Sequence, residues 1–235
     1  LWAWQPFNEP TPATSGNPQA RAPFPELSVQ GWVMSGTGKS NYHSLTARLQ
    51  RRFAQGLSFM GSYTWSKSID LSSGARNHDG EQQFPQDAYC LQCERGLSIF
   101  NIAHRFVTSA LYELPFGKGR AMLNRGGVVN AVVGGWQISS ILTLQGGSPN
   151  TITSGIDAGN RGYNTIIDRP NSTGQSATVS DPNANRWFDK GQFLREPAGT
   201  LGNVGRNTLI GPGIANWDMS IFKIFSIREQ QQLQF

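Results

Sequence analysis

Alternation of apolar and polar residues is the strongest pattern in this chain. Between Asn41 and Phe53, one parity holds Leu45, Ala47 and Leu49, while the other parity is polar. A period of two residues predicts a β-strand with one apolar and one polar face. Arg51 is the exception on the apolar parity, and it lies near the strand end, where a long side chain can reach water.

The same period predicts further strands along the chain. Residues 136–145 alternate cleanly, residues 57–68 and 216–225 also alternate, and Leu233 and Phe235 open another strand. Residues 104–114 also favour a strand, but apolar residues fall on both of its parities and leave its faces unassigned. Ala54-Gln55-Gly56 predicts a tight turn, and therefore a β-hairpin between the first two strands.

Connections of two lengths separate these strands. Short turns are expected at 54–56, at 227–230 and within 115–120, and long polar loops over about 70–97 and 146–215. Connections in compact soluble domains mostly have about four to six residues, whereas outer-membrane barrels alternate short periplasmic turns with long extracellular loops. The pattern therefore predicts an all-β fold: an antiparallel meander of long strands with short turns and long loops, part of a transmembrane β-barrel.

The predicted domains divide at residue 40. Residues 1–40 are rich in proline and lack periodicity, which predicts a loop or linker. Residues 41–235 form the predicted outer-membrane β-barrel region, with about six strands. Because the alternation is interrupted at the last residues and no signal peptide opens the chain, we expect an internal fragment that is incomplete at both ends.

Composition and charge narrow the class of protein. Charged residues make up 15% of the chain, well below the roughly 25% usual for soluble proteins. The net charge of +5 contains no long run of like charges, so no nucleic-acid partner is expected. No apolar stretch is long enough for a transmembrane helix, which excludes helical membrane proteins but not barrels.

The alternation also predicts which side chains face lipid and which face the lumen. We expect lipid to cover one set: Leu45, Leu49, Leu57, Phe59, Ile138, Leu142, Trp217, Met219 and Ile221. We expect the lumen, or solvent, to meet a second set: Ser44, Thr46, Ser58, Thr64, Gln137, Ser139 and Ser220. Aromatic residues near strand ends, such as Tyr63, Trp65 and Trp136, are typical of the girdles at the two membrane interfaces.

Short motifs in these same segments resemble the barrel region of Oar-like TonB-dependent outer-membrane transporters. They follow the family order over most of residues 20–235, and in series they are specific. The matching stretches are 41–45, 51–57, 62–70, 104–107, 112–119, 134–137, 169–171, 202–207, 211–213 and 233–235.

The resemblance implies a receptor in the cell outer membrane of a Gram-negative bacterium that imports a nutrient ligand. Its implied partners are outer-membrane lipid, a small-molecule or carbohydrate ligand, and the TonB system acting through parts of the protein outside this chain. Large transporters of this kind have about 22 strands and a plugged lumen. No motif marks a ligand-binding residue, so the ligand site stays unknown.

Cys90 and Cys93 are the most distinctive local pair. One C-x-x-C without a second is a weak zinc signal, although the same loop holds His78, Asp79, Glu81 and Asp87. A disulfide that fixes the loop is favoured in an oxidising, extracellular setting, with free thiols as the remaining alternative. We therefore take Cys90 and Cys93 as a disulfide candidate and predict no metal site.

Catalytic motifs are weak throughout, and we predict no catalytic residue and no cofactor. Gly36–Ser40 resembles the end of a phosphate-binding loop but lacks the first glycine and the strand–loop–helix context. The alternative hypothesis is a soluble β-rich carbohydrate-active hydrolase or carbohydrate-binding module with its site in the long loops. A glycoside hydrolase would need two carboxyl groups at a set distance, and Trp187-Phe188 could stack on a sugar. The acidic candidates are Asp70, Asp79, Glu81, Glu94, Asp157, Asp168, Asp181, Asp189 and Glu196.

Overall fold

The computed structural model describes residues 3–29, 31–74, 84–162, 167–228 and 231–235. Antiparallel strands dominate these residues. In chain order the strands are β1 (Ala3–Pro6), β2 (Trp32–Ser35), β3 (Ser40–Ala54), β4 (Leu57–Asp70), β5 (Gly96–Leu97), β6 (His104–Glu113), β7 (Trp136–Gln145), β8 (Pro149–Asn150), β9 (Asn171–Ser172), β10 (Thr178–Asn183), β11 (Arg186–Phe188), β12 (Phe193–Leu194), β13 (Leu209–Ile210), β14 (Ile214–Arg228) and β15 (Gln231–Gln234).

The helical elements are short. They are α1 (Pro18–Arg21), α2 (Val128–Val133) and the 3₁₀ segments Leu91–Glu94 and Lys190–Gln192. Within the described residues, none of the helices has both the length and the hydrophobicity that a membrane span requires.

The long strands form one antiparallel meander in the order β15-β14-β7-β6-β4-β3, with β5 paired to the end of β4. This confirms the all-β meander predicted from the alternation. Strand β7 has the predicted limits, and β3, β4 and β14 extend beyond them. Between β3 and β4, Gln55 and Gly56 both have positive φ (55° and 81°), as a tight hairpin turn that follows the strand twist requires.

Three connections differ from the prediction. Strand β14 continues through Arg228, where a turn was expected to begin at 227. The turn expected within 115–120 is instead a longer connection, 114–135, that contains α2. The long loop expected over 146–215 ends at 213 and contains β8 to β13. These strands have two to six residues, too few for alternation to be recognised in the sequence.

Strand register places the predicted sets on opposite faces of the meander. Leu57, Tyr112, Ile138 and Ile221 are neighbours across β4, β6, β7 and β14. The same pairing aligns Phe59 with Met219 through β6 and β7. We call this side, which also carries Leu142 and Trp217, the apolar face.

The opposite side is the polar face. Ser58, Ser139 and Ser220 belong to it, since each follows or precedes a residue of the apolar face in its strand. A hydroxyl contact of 3.1 Å joins Thr46 to Thr64 on this side, which extends the polar face to β3. Register also resolves β6: Phe106 and Tyr112 lie on the apolar face, and Val107 and Leu111 on the polar face.

The Cα packing divides the chain into two units. Unit 1 comprises Leu1–His43, Lys67–Asn101 and Gly147–Pro212, and unit 2 comprises Ser44–Ser66, Ile102–Gly146 and Gly213–Phe235. This division differs from the predicted one at residue 40, since the first forty residues hold β1, β2 and α1 and pack within unit 1. Long-range pairing of β1 with β2 is not visible as local periodicity.

The interiors of the two units contrast. In unit 1 the buried residues include many charged side chains: Glu9, Asp70, Glu94, Arg161, Asp168, Arg169, Glu196 and Arg206. In unit 2 many of the large apolar side chains are exposed, and Leu45 and Trp217 are each 66% accessible; Leu57, Phe59 and Ile138 are half-buried. Unit 2 therefore presents its hydrophobic residues outward.

Candidate functional site: the lipid-facing surface and the loop cavity

The apolar face of unit 2 has the dimensions of a membrane-crossing surface. Strands β6 and β7 each have 10 residues, within the roughly 9–11 that a tilted transmembrane strand needs. Ten extended residues span about 30 Å, which a tilt of roughly 35–45° reduces to about the 25 Å height of an outer-membrane apolar band.

Among the described residues, the ionisable side chains of the apolar face lie toward its ends. At one end, the Tyr63 hydroxyl lies 2.8 Å from His104 Nδ1, with Trp65 opposite His104 in the register. At the other end, Lys223 lies 4.9 Å from the Trp136 ring centroid. Aromatic residues at both ends with an uncharged band between them are the arrangement of an outer-membrane strand wall. This end-to-end pattern matches the girdle predicted from Tyr63, Trp65 and Trp136.

Unit 1 is held together by buried ion pairs. Arg161 is fully buried and binds Glu9 and Asp168, and it also donates to the Gln86 carbonyl. Burial alone would lower the pKa of Arg161, but the two carboxylates outweigh it and raise the pKa above its ordinary value. The network joins segments that are far apart in sequence, because Glu9 precedes the first long strand and Arg161 follows β8.

A second ion pair uses both terminal nitrogens of an arginine guanidinium group. Arg169 donates to Glu94 through Nη1 (2.8 Å) and Nη2 (2.9 Å), the bidentate geometry that makes such pairs strong. Glu94 also accepts from the Gln86 amide, and Arg206 pairs with Asp70 in the same unit. These contacts fix the long connections as one ordered body rather than as separate loops.

Cys90 and Cys93 lie beside this network and are joined by a disulfide, with Cα atoms 5.3 Å apart. The bond closes the first turn of the 3₁₀ segment that carries Glu94. Nearby, the Tyr89 hydroxyl donates to the Glu9 carbonyl (2.7 Å). Burial of that hydroxyl, with smaller contributions from Glu9 and Asp87, raises the pKa of Tyr89 above its ordinary value.

The alternative metal ligands can be placed only in part. His78, Asp79 and Glu81 lie outside the described residues, and the Asp87 carboxylate accepts a hydrogen bond from the Tyr89 backbone amide. Among the residues that are described, no group of three or more His, Cys, Asp or Glu side chains is placed to hold a metal ion. Gly36–Ser40 precedes and enters strand β3, without the helix that a phosphate-binding loop requires.

Four of the predicted acidic candidates serve as acceptors within unit 1. Asp70, Glu94 and Asp168 are paired with arginines. Asp157 accepts from the backbone amides of Arg161 and Gly162. Carboxylates committed to buried arginines and backbone amides stabilise a fold, and this is the role that the contacts give them.

Two further acidic candidates lie in the same long connection as the predicted aromatic pair. Glu196 is buried and accepts from the Ser154 hydroxyl at 2.6 Å. Asp189 accepts from Gly191 and Gln192, and these hydrogen bonds, the one from the Gln192 side chain first, lower the pKa of Asp189 below its ordinary value. Asp189 therefore fixes the turn that follows Trp187 and Phe188.

A cavity of about 530 Å³ lies within unit 1, between the short strands of the longest connection. Trp187, Phe188 and Phe193 form its aromatic wall, and the two phenylalanine rings meet edge to face at 5.8 Å. The Trp187 indole is fixed by a hydrogen bond from Nε1 to the Ile210 carbonyl (2.8 Å). The aromatic pair singled out in the sequence is thus part of a formed cavity.

The polar part of this cavity is uncharged. Its hydrogen-bonding side chains are amides and hydroxyls, and no ionisable residue is among the described residues that line it. They are Ser172, Gln175, Ser176, Thr178, Asn203 and Thr208. Sequence reasoning missed these residues and Phe193, since they come from separate stretches that no local motif connects; Asn203 alone lies in a stretch that carried the resemblance.

Comparison with known families agrees with the exposed apolar face. The family model described as "Outer membrane beta barrel domain" matches residues 1–235. Searches of curated proteins and of solved structures gave no match to the chain. Since the family model spans the whole chain and the meander has the exposed apolar face that such a domain needs, this protein belongs to the outer membrane beta barrel domain family and resides in the outer membrane.

Proposed function

We propose that this chain is the ligand-receiving part of a TonB-dependent outer-membrane receptor that imports an uncharged, saccharide-like nutrient. The observation that carries the proposal is the cavity of unit 1, with its aromatic wall and its uncharged polar lining. The outer-membrane location supports a role in import, because nutrients that enter the cell must first cross this membrane.

The chemistry of the cavity favours a neutral polyol. A sugar presents an apolar face of C–H groups to an aromatic ring and directs hydroxyls sideways, and Trp187 with Phe188 and Phe193 supplies such rings. Asn203 and Gln175 carry groups that can both donate and accept hydrogen bonds. A charged ligand would find no counter-ion among the described lining residues, and its desolvation would oppose binding.

The volume of the cavity is also suitable for a small-molecule ligand. About 530 Å³ lies within the roughly 300–1,000 Å³ of small-molecule sites. The ion pairs of unit 1 hold the surrounding connections in place before a ligand arrives, and a preorganised site loses less conformational entropy on binding.

Energy coupling to TonB is the finer part of the proposal. Support comes from the ordered series of motifs that resemble Oar-like transporters, including the stretch 202–207 that contributes Asn203 to the cavity. In the parent receptor, the TonB system would supply the work of releasing the ligand inward.

The alternative of a soluble hydrolase is not favoured. A soluble protein would bury large apolar side chains such as Leu45, Leu49 and Trp217, whereas all three are exposed here. Among the acidic candidates of this chain, three are paired with arginines, and Asp157 and Asp189 accept from amides.

Calorimetric titration of the detergent-solubilised chain with neutral oligosaccharides tests the ligand class. We expect one or more of a panel of gluco-, xylo- and manno-oligosaccharides to bind, and Trp187→Ala to weaken that binding at least tenfold. Trp65→Ala, which removes an indole of the apolar face, is the matched control and should leave the affinity unchanged. Binding that is equal in both variants, or confined to anionic ligands, would overturn the assignment of the cavity.

Uptake by the parent receptor tests the TonB step. Cells that express it should accumulate the labelled oligosaccharide, and deletion of tonB should abolish accumulation while leaving surface binding intact. Accumulation that is independent of TonB would refute energy coupling without affecting the binding result.

A further inference from the structure

The connection between β6 and β7, residues 114–135, has an unusual surface. Five of its large apolar side chains are exposed, namely Met122, Leu123, Val128, Val129 and Val132, whereas Leu114, Phe116 and Val133 are half-buried. Val128, at the start of α2, is 81% accessible. We call residues 114–135 the β6–β7 segment. A contiguous exposed apolar patch usually marks a surface that another phase or partner covers.

The β6–β7 segment is nevertheless ordered by its own hydrogen bonds. The Asn130 side chain accepts from the Lys118 amide at 2.7 Å, and the Met122 amide donates to the Pro115 carbonyl at 2.8 Å. Gly117 has φ of +107° and lies so close to Gly134 that no side chain would fit between them. The apolar side chains are therefore held outward by a folded turn.

The segment is anchored to the end of the apolar face. Lys223, a residue of that face in β14, donates through Nζ to the carbonyls of Val132 (2.6 Å) and Gly134 (3.0 Å). Trp136 Nε1 donates to the same Val132 carbonyl at 3.0 Å. A cation at a helix C-terminus is favourable because it opposes the helix dipole. These bonds tie the C-terminus of α2 to the end of the apolar face at which Trp136 and Lys223 lie.

The charges of the segment have a single sign. Lys118, Arg120 and Arg125 are its ionisable residues, and it contains no Asp or Glu. All three are exposed, and Arg120 also pairs with Glu113 at the end of β6. Basic residues beside exposed apolar side chains are the composition of elements that lie in a membrane interface and attract anionic headgroups.

The topology gives the membrane leaflet. Leu57, which follows the tight turn of the β3–β4 hairpin, is opposite Tyr112 near the end of β6. The β6–β7 segment therefore leaves the sheet on the same side as that short turn. In outer-membrane barrels the short turns face the periplasm, where the leaflet consists of phospholipid.

We propose that the β6–β7 segment is a membrane-interface anchor whose valines enter the periplasmic leaflet and whose basic side chains bind anionic phospholipid headgroups. Lys118 and Arg125 would contact the phosphates, while Val128 and Val132 lie among the acyl chains. This inference rests on the outer-membrane location and is independent of the proposed import function.

The first test measures the depth of α2 in vesicles that contain only this protein. Val128→Cys, labelled with an environment-sensitive fluorophore, should show a blue-shifted emission that lipids with a shallow spin label quench. Ala184→Cys, an exposed position in the turn between β10 and β11, is the control and should remain in water. Since Val128 is exposed, its replacement leaves the fold intact. A Val128 probe that is fully hydrated in phosphatidylglycerol vesicles would overturn the anchor, and would point instead to a periplasmic protein as the partner.

The second test measures headgroup preference. Native mass spectrometry of the full chain should show more bound phosphatidylglycerol than phosphatidylcholine, and Lys118→Gln with Arg125→Gln should reduce the preference on the order of tenfold. Arg95→Gln with Arg195→Gln removes the same net charge from unit 1 and should leave it unchanged. Equal binding of the two lipids, or an equal loss in both double variants, would refute specific headgroup binding.

Discussion

Removal of the Arg169 guanidinium should favour local unfolding, or opening, of unit 1 while the long strands of unit 2 stay folded. In Arg169→Met the aliphatic stem keeps its packing but both hydrogen bonds to Glu94 are lost. The side chains of Arg169 and Glu94 are only 5% and 4% exposed, so water cannot replace the missing partner. Glu94 is left as a buried carboxylate that keeps only its hydrogen bond from the Gln86 amide.

The size of the stability loss follows from the isolation of the buried Glu94 carboxylate. Removing one member of a buried ion pair costs about 3–5 kcal/mol, mostly as the penalty of an uncompensated charge. Each 1.4 kcal/mol is about a factor of ten in an equilibrium, so the population of opened unit 1 should rise between about a hundredfold and several thousandfold. The double variant Glu94→Gln/Arg169→Met removes the stranded charge as well, and it should be less destabilised than the single variant.

Hydrogen exchange in detergent micelles, read by mass spectrometry over peptides of both units, measures the effect. Arg120→Met breaks an ion pair whose arginine side chain is 45% exposed, and it should change protection by no more than about 1 kcal/mol. Equal protection in Arg169→Met and Arg120→Met would refute the reasoning, as would a double variant less stable than the single one. Loss of exchange protection in β7 and β14 would show that the effect is not confined to unit 1.

The strands of unit 2 could be predicted from the sequence because their environment has two distinct sides. In β7, an apolar side and a polar side produce the alternation seen at Ile138 and Ser139, which Ser140 and Ile141 interrupt. The faces of strand β6 could not be predicted from alternation, because Val107 and Leu111 place apolar side chains on the polar face. There the pairing partners, and not the periodicity, decide the face.

The interior of unit 1 could not be predicted, because its order comes from long-range polar contacts. Glu9 and Arg161 are separated by most of the chain, and no local pattern signals their pairing. The same holds for the cavity: Trp187 stood out as an aromatic residue, but Asn203 and Phe193 join it only through folding. Glycine, asparagine and proline in these stretches indicated loops correctly and gave no sign that the loops form one body.

The remaining predictions concern redox, pH and lipid contact. Thiol titration of the unreduced protein should find no reactive thiol, and two after reduction, at Cys90 and Cys93; two thiols before reduction would contradict the disulfide. An NMR titration should place the pKa of Asp189 below the ordinary value of about 3.9, and Gln192→Ala should raise it. Because the folded pKa is lowered, the stabilisation of this turn is complete above the unfolded pKa and is lost as pH falls through the folded value. Met219→Arg places a charge at the middle of the apolar face, where Met219 is 56% exposed, and should cost about 2–4 kcal/mol in a bilayer, as a charged residue does at the midplane. Ser220→Arg changes the next residue, on the polar face, and should cost much less because that side chain does not meet lipid. Unfolding of both variants by urea in vesicles compares them, and equal losses would show that the two faces of β14 do not meet different surroundings.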